Sequence, residues 1–89
     1  SVGVYAVFVH INGQKYKGML NIGHRPTINN GNDLSIEVHI LDFKEDIYHQ
    51  KIRVEFVDFL RPEMKFNSVD ELIQQMQKDK EASIQILLL

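Results

Sequence analysis

The chain has 89 residues, 44% of them apolar and 25% charged, with a formal net charge of −2 and no cysteine. That length holds one domain spanning 1–89, with a core hiding roughly 60–65% of the unfolded surface, and the composition is neither that of a disordered chain nor that of a membrane-spanning one. A slightly acidic chain lacks the basic field that nonspecific nucleic-acid binding requires, has no basic amphipathic segment for a membrane surface and opens without a signal peptide, so a cytoplasmic protein with neither partner is expected.

Residues 2–11 are almost continuously apolar and β-branched or aromatic, which predicts a first strand. Asn12-Gly13 then supplies the pair that tolerates positive φ in a two-residue hairpin turn. The returning strand, 14–22, alternates Tyr16, Gly18, Leu20 and Ile22 with Lys15, Lys17 and Asn21, so one side is wet, and Gly18 marks a bend or bulge. Gly23–Asp33 has turn chemistry throughout and reads as a long loop. A third strand over 34–43 places Leu34, Ile36, Val38 and Ile40 on one face and Ser35, Glu37 and His39 on the other. After a polar turn, Ile52, Val54 and Phe56 alternate with Arg53 and Glu55 in a fourth strand over 51–60, expected to pair with the third. Ser68-Val69-Asp70-Glu71 is a capping box. Behind it Val69, Leu72, Ile73, Met76, Ile84 and Leu87 recur at helical spacing, with Gln, Lys, Asp and Glu on the opposite face. A helix over 69–88, about 30 Å long at ~1.5 Å per residue, would cover one side or end of the sheet. The result is a mainly β, α+β domain, an antiparallel sheet curled toward a barrel with one C-terminal helix.

His10, His24, His39 and His49 include no i, i+4 pair, and without cysteine companions they predict no protein-bound metal. His39 shares a strand face with Glu37, which leaves a local polar pair and a plain surface histidine both open. There is no Gly-rich phosphate cradle and no serine nucleophile elbow.

Five blocks in series nevertheless have a recognisable order and spacing: Gly3-Val4-Tyr5-Ala6-Val7; Tyr16-Lys17-Gly18; Asn21-Ile22-Gly23-His24-Arg25-Pro26-Thr27; Ile36-Glu37-Val38-His39-Ile40-Leu41-Asp42-Phe43; and Leu60-Arg61-Pro62-Glu63 with Lys65-Phe66. Together they span nearly the whole chain, and it resembles the riboflavin kinase family, whose bacterial members are usually the C-terminal half of a bifunctional riboflavin kinase and FAD synthetase. The resemblance implies a six-stranded antiparallel Greek-key barrel, here lacking its first strand or strands, with one C-terminal helix. It implies ATP-dependent phosphorylation of the riboflavin 5′-hydroxyl with magnesium, giving FMN and ADP, and an FMN adenylyltransferase domain in the same full-length chain.

Residue by residue, the family's base matches Glu37, a carboxylate ionised at neutral pH from an unperturbed pKa of about 4.3 that partial burial would raise toward the useful range. Arg61, Lys65 and Phe66 fall at flavin-contacting positions, and Tyr48 at a nucleotide-side position. The family's Gly-Phe-Pro-Thr-Ala-Asn-like segment, which holds magnesium and phosphate, belongs upstream of the Gly-Val-Tyr block. Pro26-Thr27-Ile28-Asn29 spells a similar pattern but aligns with another loop. The fragment alone is therefore expected to have little or no kinase activity, and unpaired strand edges invite self-association. A non-catalytic barrel that binds a flavin, a nucleotide or a protein partner is the alternative.

Overall fold

The computed structural model describes residues 1–25, 33–43 and 51–88. Strand β1 (Gly3–Ile11) turns through Asn12 and Gly13, at φ 51° and 80°, into β2 (Gln14–Arg25), the two-residue hairpin that this pair favours. β3 (Asp33–Ile40) and β4 (Ile52–Arg61) complete a four-stranded antiparallel sheet in the order β3-β2-β1-β4. The expected pairing of the third and fourth strands is thus not made. Val4, Ala6, Val7, Phe8, Val9 and Ile11 are all buried, so β1 needs cover on both faces and takes an inner position between β2 and β4. The alternating strands β3 and β4 are left at the edges.

On one sheet face Val7, Val9, Ile11 and Leu20 form the core, flanked by Tyr5, Tyr16, Ile22, Val38, Ile40, Phe43 and Val54. On the other, Ala6 and Phe8 receive Leu87, with Leu60 and Ile86 alongside. β2 runs to Arg25, three residues beyond the expected end at 22, because its ladder with β3 continues through Gly23↔Ser35, His24↔Leu34 and Arg25↔Asp33. β3 stops at Ile40, short of 43, and Asp42 takes a positive φ of 55° just after it. Gly18 makes no bulge; a Cβ there would sit 2.9 Å from the His39 carbonyl oxygen, so its role is close approach of β2 and β3. The register shifts lie instead between β1 and β4, beside Val4/Tyr5 and Ala6/Val7. The six strands of a closed barrel are not seen among the described residues.

Helix α1 covers Val69–Ile86, ending two residues before the expected 88. Ser68 Oγ accepts the Glu71 amide at 3.1 Å, as a capping box requires, while Glu71 accepts from the Asn67 amide at 3.4 Å, one residue before the cap. The expected apolar stripe does not dock along its whole length. Val69, Leu72, Ile73 and Met76 are exposed, whereas Asp79, Ser83 and Leu87 are buried. Those last three recur four residues apart on one helix face, so the helix lands on the sheet by its C-terminal half. Its N-terminal half stands over the sheet without closing on it.

Candidate active site

The gap under that half is a cleft of about 510 Å³, within the usual range for a small-molecule site. Its floor is the helix-facing side of the sheet, carrying Val4, Met19, Asn21, Glu37 and His39. Leu72, Met76 and Asp79 form the roof, and Arg61, Glu63, Met64 and Phe66 close one end. All three methionines of the chain line this space. Thioethers on flexible stems adapt to irregular apolar shapes and contact aromatic rings favourably, which suits a flat ring system.

The pleat of β3 aims Glu37 into the cleft, since Asn21↔Glu37 and Met19↔His39 are paired positions on one face. Glu37 is exposed rather than half-buried, and neither a hydrogen bond nor an ion pair ties it to His39 or to any other described residue. It lines the cleft together with Asn21 and His39.

Arg61 ends β4 opposite Val4, and all three of its guanidinium nitrogens are engaged. Its Nε donates to the Asp79 carboxylate at 2.9 and 3.1 Å, a terminal nitrogen donates to Asp79 Oδ2 at 2.8 Å, and the other donates to the Pro62 carbonyl at 3.1 Å. Gln75 Nε2 adds a bond to Asp79 Oδ1 at 3.0 Å. The two charged side chains are only 16% and 7% exposed. A bidentate pair with this little solvent fixes the plane of the guanidinium.

Glu63 ties the same end of the cleft to β2. One carboxylate oxygen accepts the His24 amide at 2.9 Å and the other meets His24 Nδ1 at 3.1 Å. The amide first, and the imidazole second, hold the Glu63 carboxyl below the ordinary carboxylate range. Gly23 leaves room for this bracket, because a Cβ there would lie 2.9 Å from the Glu63 oxygen.

A family model described as Flavokinase, riboflavin kinase, matches residues 1–87. The chain belongs to the riboflavin kinase family. It is 45% identical over 80 residues to a bifunctional riboflavin kinase/FMN adenylyltransferase of Listeria monocytogenes, covering 90% of this chain and 26% of that protein. The protein of the same description from Bacillus subtilis is 42% identical over 84 residues, covering 92% and 27%. A crystal structure from Streptococcus pneumoniae, titled a macrolide-efflux protein, superposes with a TM-score of 0.83 at 40% identity, covering 93% of this chain and 27% of that one. The chain therefore spans about a quarter of the length of the curated relatives it matches. Among the described residues no helix is long and apolar enough to cross a membrane.

Of the riboflavin kinase residues expected from the sequence, the cleft brings together Glu37, Arg61 and Phe66. Lys65 is not among its lining; it borders a separate groove of about 200 Å³ with Glu71, Gln74 and Lys78. Met64 and Phe66 border both spaces, whereas Lys65 borders only the second. Tyr48 lies outside the described residues. Three further residues line the site: Asp79, buried although its acidic type assigned it to the wet face of the helix, Glu63, and Met76 on the roof. Spacing held the signal for the first: Leu72, Met76, Asp79, Ser83 and Leu87 follow one another at steps of three or four, putting a charge inside an apolar row.

Proposed function

We propose that the cleft is the flavin site of an ATP-dependent riboflavin kinase and that Glu37 is its general base. The observation that carries this reading is the meeting of Glu37 from β3 with Arg61 and Phe66 from the end of β4 and the stretch after it, around one cleft of suitable size. In this reading the ring system lies among Phe66, Met64 and Met76 with Arg61 at its edge, and the ribityl tail runs along the sheet toward Glu37. Glu37 accepts the proton of the 5′-hydroxyl as that oxygen bonds to the γ-phosphorus of ATP and the bond to the β-phosphate oxygen breaks, leaving FMN and ADP. Positioning and electrostatics account for most of the acceleration in such transfers.

The described residues do not fit a magnesium site. No group of three or more His, Asp or Glu side chains among them is placed to hold a metal ion. Asp79 and Glu63 are moreover committed to Arg61 and His24. The bifunctional relatives support an FMN adenylyltransferase domain in the intact protein, and with it we propose a sheet completed to the six-stranded Greek-key barrel and a cytoplasmic setting. Among the described residues β3 and β4 are edge strands, which supports self-association; light scattering of the chain at high concentration checks it.

The deciding assay is FMN formation from riboflavin and MgATP, run with the 89-residue chain and with the intact protein of the same gene. The intact protein is expected to turn over, and the chain alone to turn over little or not at all, since its described residues supply no phosphate cradle. Riboflavin binding without turnover by the intact protein would refute the kinase reading and leave a binding module. Equal turnover by both would refute the claim that the phosphate side lies elsewhere.

A further inference from the structure

We infer that Asp79, with Gln75, is a positioning residue that sets the width of the cleft by locking Arg61; this rests on reading the cleft as the flavin site. Asp79 is 6% exposed on a helix whose preceding turns are largely solvated, with Leu72, Ile73 and Met76 at 38%, 57% and 47%. Apolar packing therefore does not fix the height of the roof. What joins helix to sheet beside the cleft is the fork between Arg61 and Asp79, with contacts of 2.8 to 3.1 Å.

A buried ion pair is a poor device for stability alone, because desolvation offsets most of the attraction and apolar residues of like volume would hold the helix as well. Geometry is what a bidentate fork specifies better than apolar packing does. Without it the roof is tethered chiefly at Leu87, which is fully buried against Ala6 and Phe8. At ~1.5 Å per residue Leu72 lies about 22 Å from that anchor, so a tilt of about 5° moves the roof by about 2 Å. Displacements of that order change the fit of a rigid ligand by large factors. The bond from Arg61 to the Pro62 carbonyl carries the same constraint into the segment bearing Glu63, Met64 and Phe66. Gln75, one turn before Asp79, holds the carboxylate oxygen that the fork shares least.

The test measures steady-state FMN formation by the intact protein and its variants. Asp79→Asn should raise the riboflavin KM about 10-fold or more while kcat and the KM for ATP stay within about 3-fold. Val9→Ala, which thins the core on the opposite sheet face, should lower the melting temperature without raising the riboflavin KM. Should Asp79→Asn not fold, Gln75→Ala takes its place with an expected rise of about 2- to 4-fold, and no rise overturns the inference. An unchanged KM in folded Asp79→Asn, or an equal KM rise in Val9→Ala at equal loss of melting temperature, also overturns it. Phe66→Ala separates the two levels. If it raises the riboflavin KM while Asp79→Asn does not, only the positioning role falls; if neither does, the flavin assignment of the cleft falls and takes the inference with it.

Discussion

Replacing Glu37 by Gln in the intact protein separates chemistry from folding cleanly, because of where the side chain sits. Glu37 is exposed and makes no hydrogen bond or ion pair with any described residue, and its amide analogue has nearly the same shape. An isosteric change at such a site shifts stability by no more than about 0.5 kcal/mol, or about 4 °C in Tm for a domain of this size. A general base in proton transfer contributes roughly 10²–10⁴ in rate, equivalent to about 3–5 kcal/mol of barrier. The expected result is therefore a fall in kcat of that size with the melting curve and the riboflavin KM nearly unchanged. The assay is FMN formation at saturating MgATP over a riboflavin titration, with circular dichroism melts of both proteins. An unaltered kcat would remove Glu37 from the mechanism, and a kcat loss matched by a collapse in Tm would reassign it to the fold.

Gly3→Ala should lower stability by about 2–4 kcal/mol, since Gly3 sits at φ +150° and a Cβ would lie 2.5 Å from both the Arg61 carbonyl oxygen and the Phe59 ring; a thermal melt within 2 °C of the parent (about 0.5 kcal/mol or less) would refute the clash. The bracket between Glu63 and His24 predicts a pH dependence. The folded carboxyl titrates below its unfolded value, so its contribution is fully present above about pH 4.3 and disappears as pH falls through the lower folded value. Carboxyl NMR should give Glu63 a midpoint below that of an unstructured glutamate. His24→Ala should bring it only part of the way back, because the backbone amide, the larger cause, remains; complete restoration would show that the imidazole carries the effect.

Most of the fold was legible because burial leaves a periodic trace. The unbroken apolar run of β1, the Asn12-Gly13 turn and the Ser68 cap each correspond to a local requirement that few residues meet, and all three sit where the pattern put them. Strand partnership was not legible. Alternation in β3 and β4 says that each has one apolar face, and says nothing of which neighbour they join. The continuous run in β1 held the missing information: a strand apolar on both faces belongs in the interior, which leaves the alternating strands to the two edges.

The site divides along the same line. The strand pattern alone left Glu37 as a surface acid; the resemblance to the riboflavin kinase family singled it out, and the alternation of β3 fixed the face on which it appears. Its companions depend on distance in space rather than in sequence. Arg61 and Asp79 are 18 residues apart and His24 and Glu63 are 39 apart, and no local pattern links either pair. Composition also works against them, since an aspartate on an amphipathic helix is assigned to water unless a cation waits on the other side. The cation here is the last residue of a strand, placed there by the shifted register between β1 and β4. A buried charge whose partner is fixed by tertiary register is invisible to periodicity alone. It follows that the wall of the cleft is a property of how the helix meets the sheet, so, with the cleft as the proposed flavin site, substitutions that preserve both elements but alter their junction should weaken riboflavin binding before they impair folding.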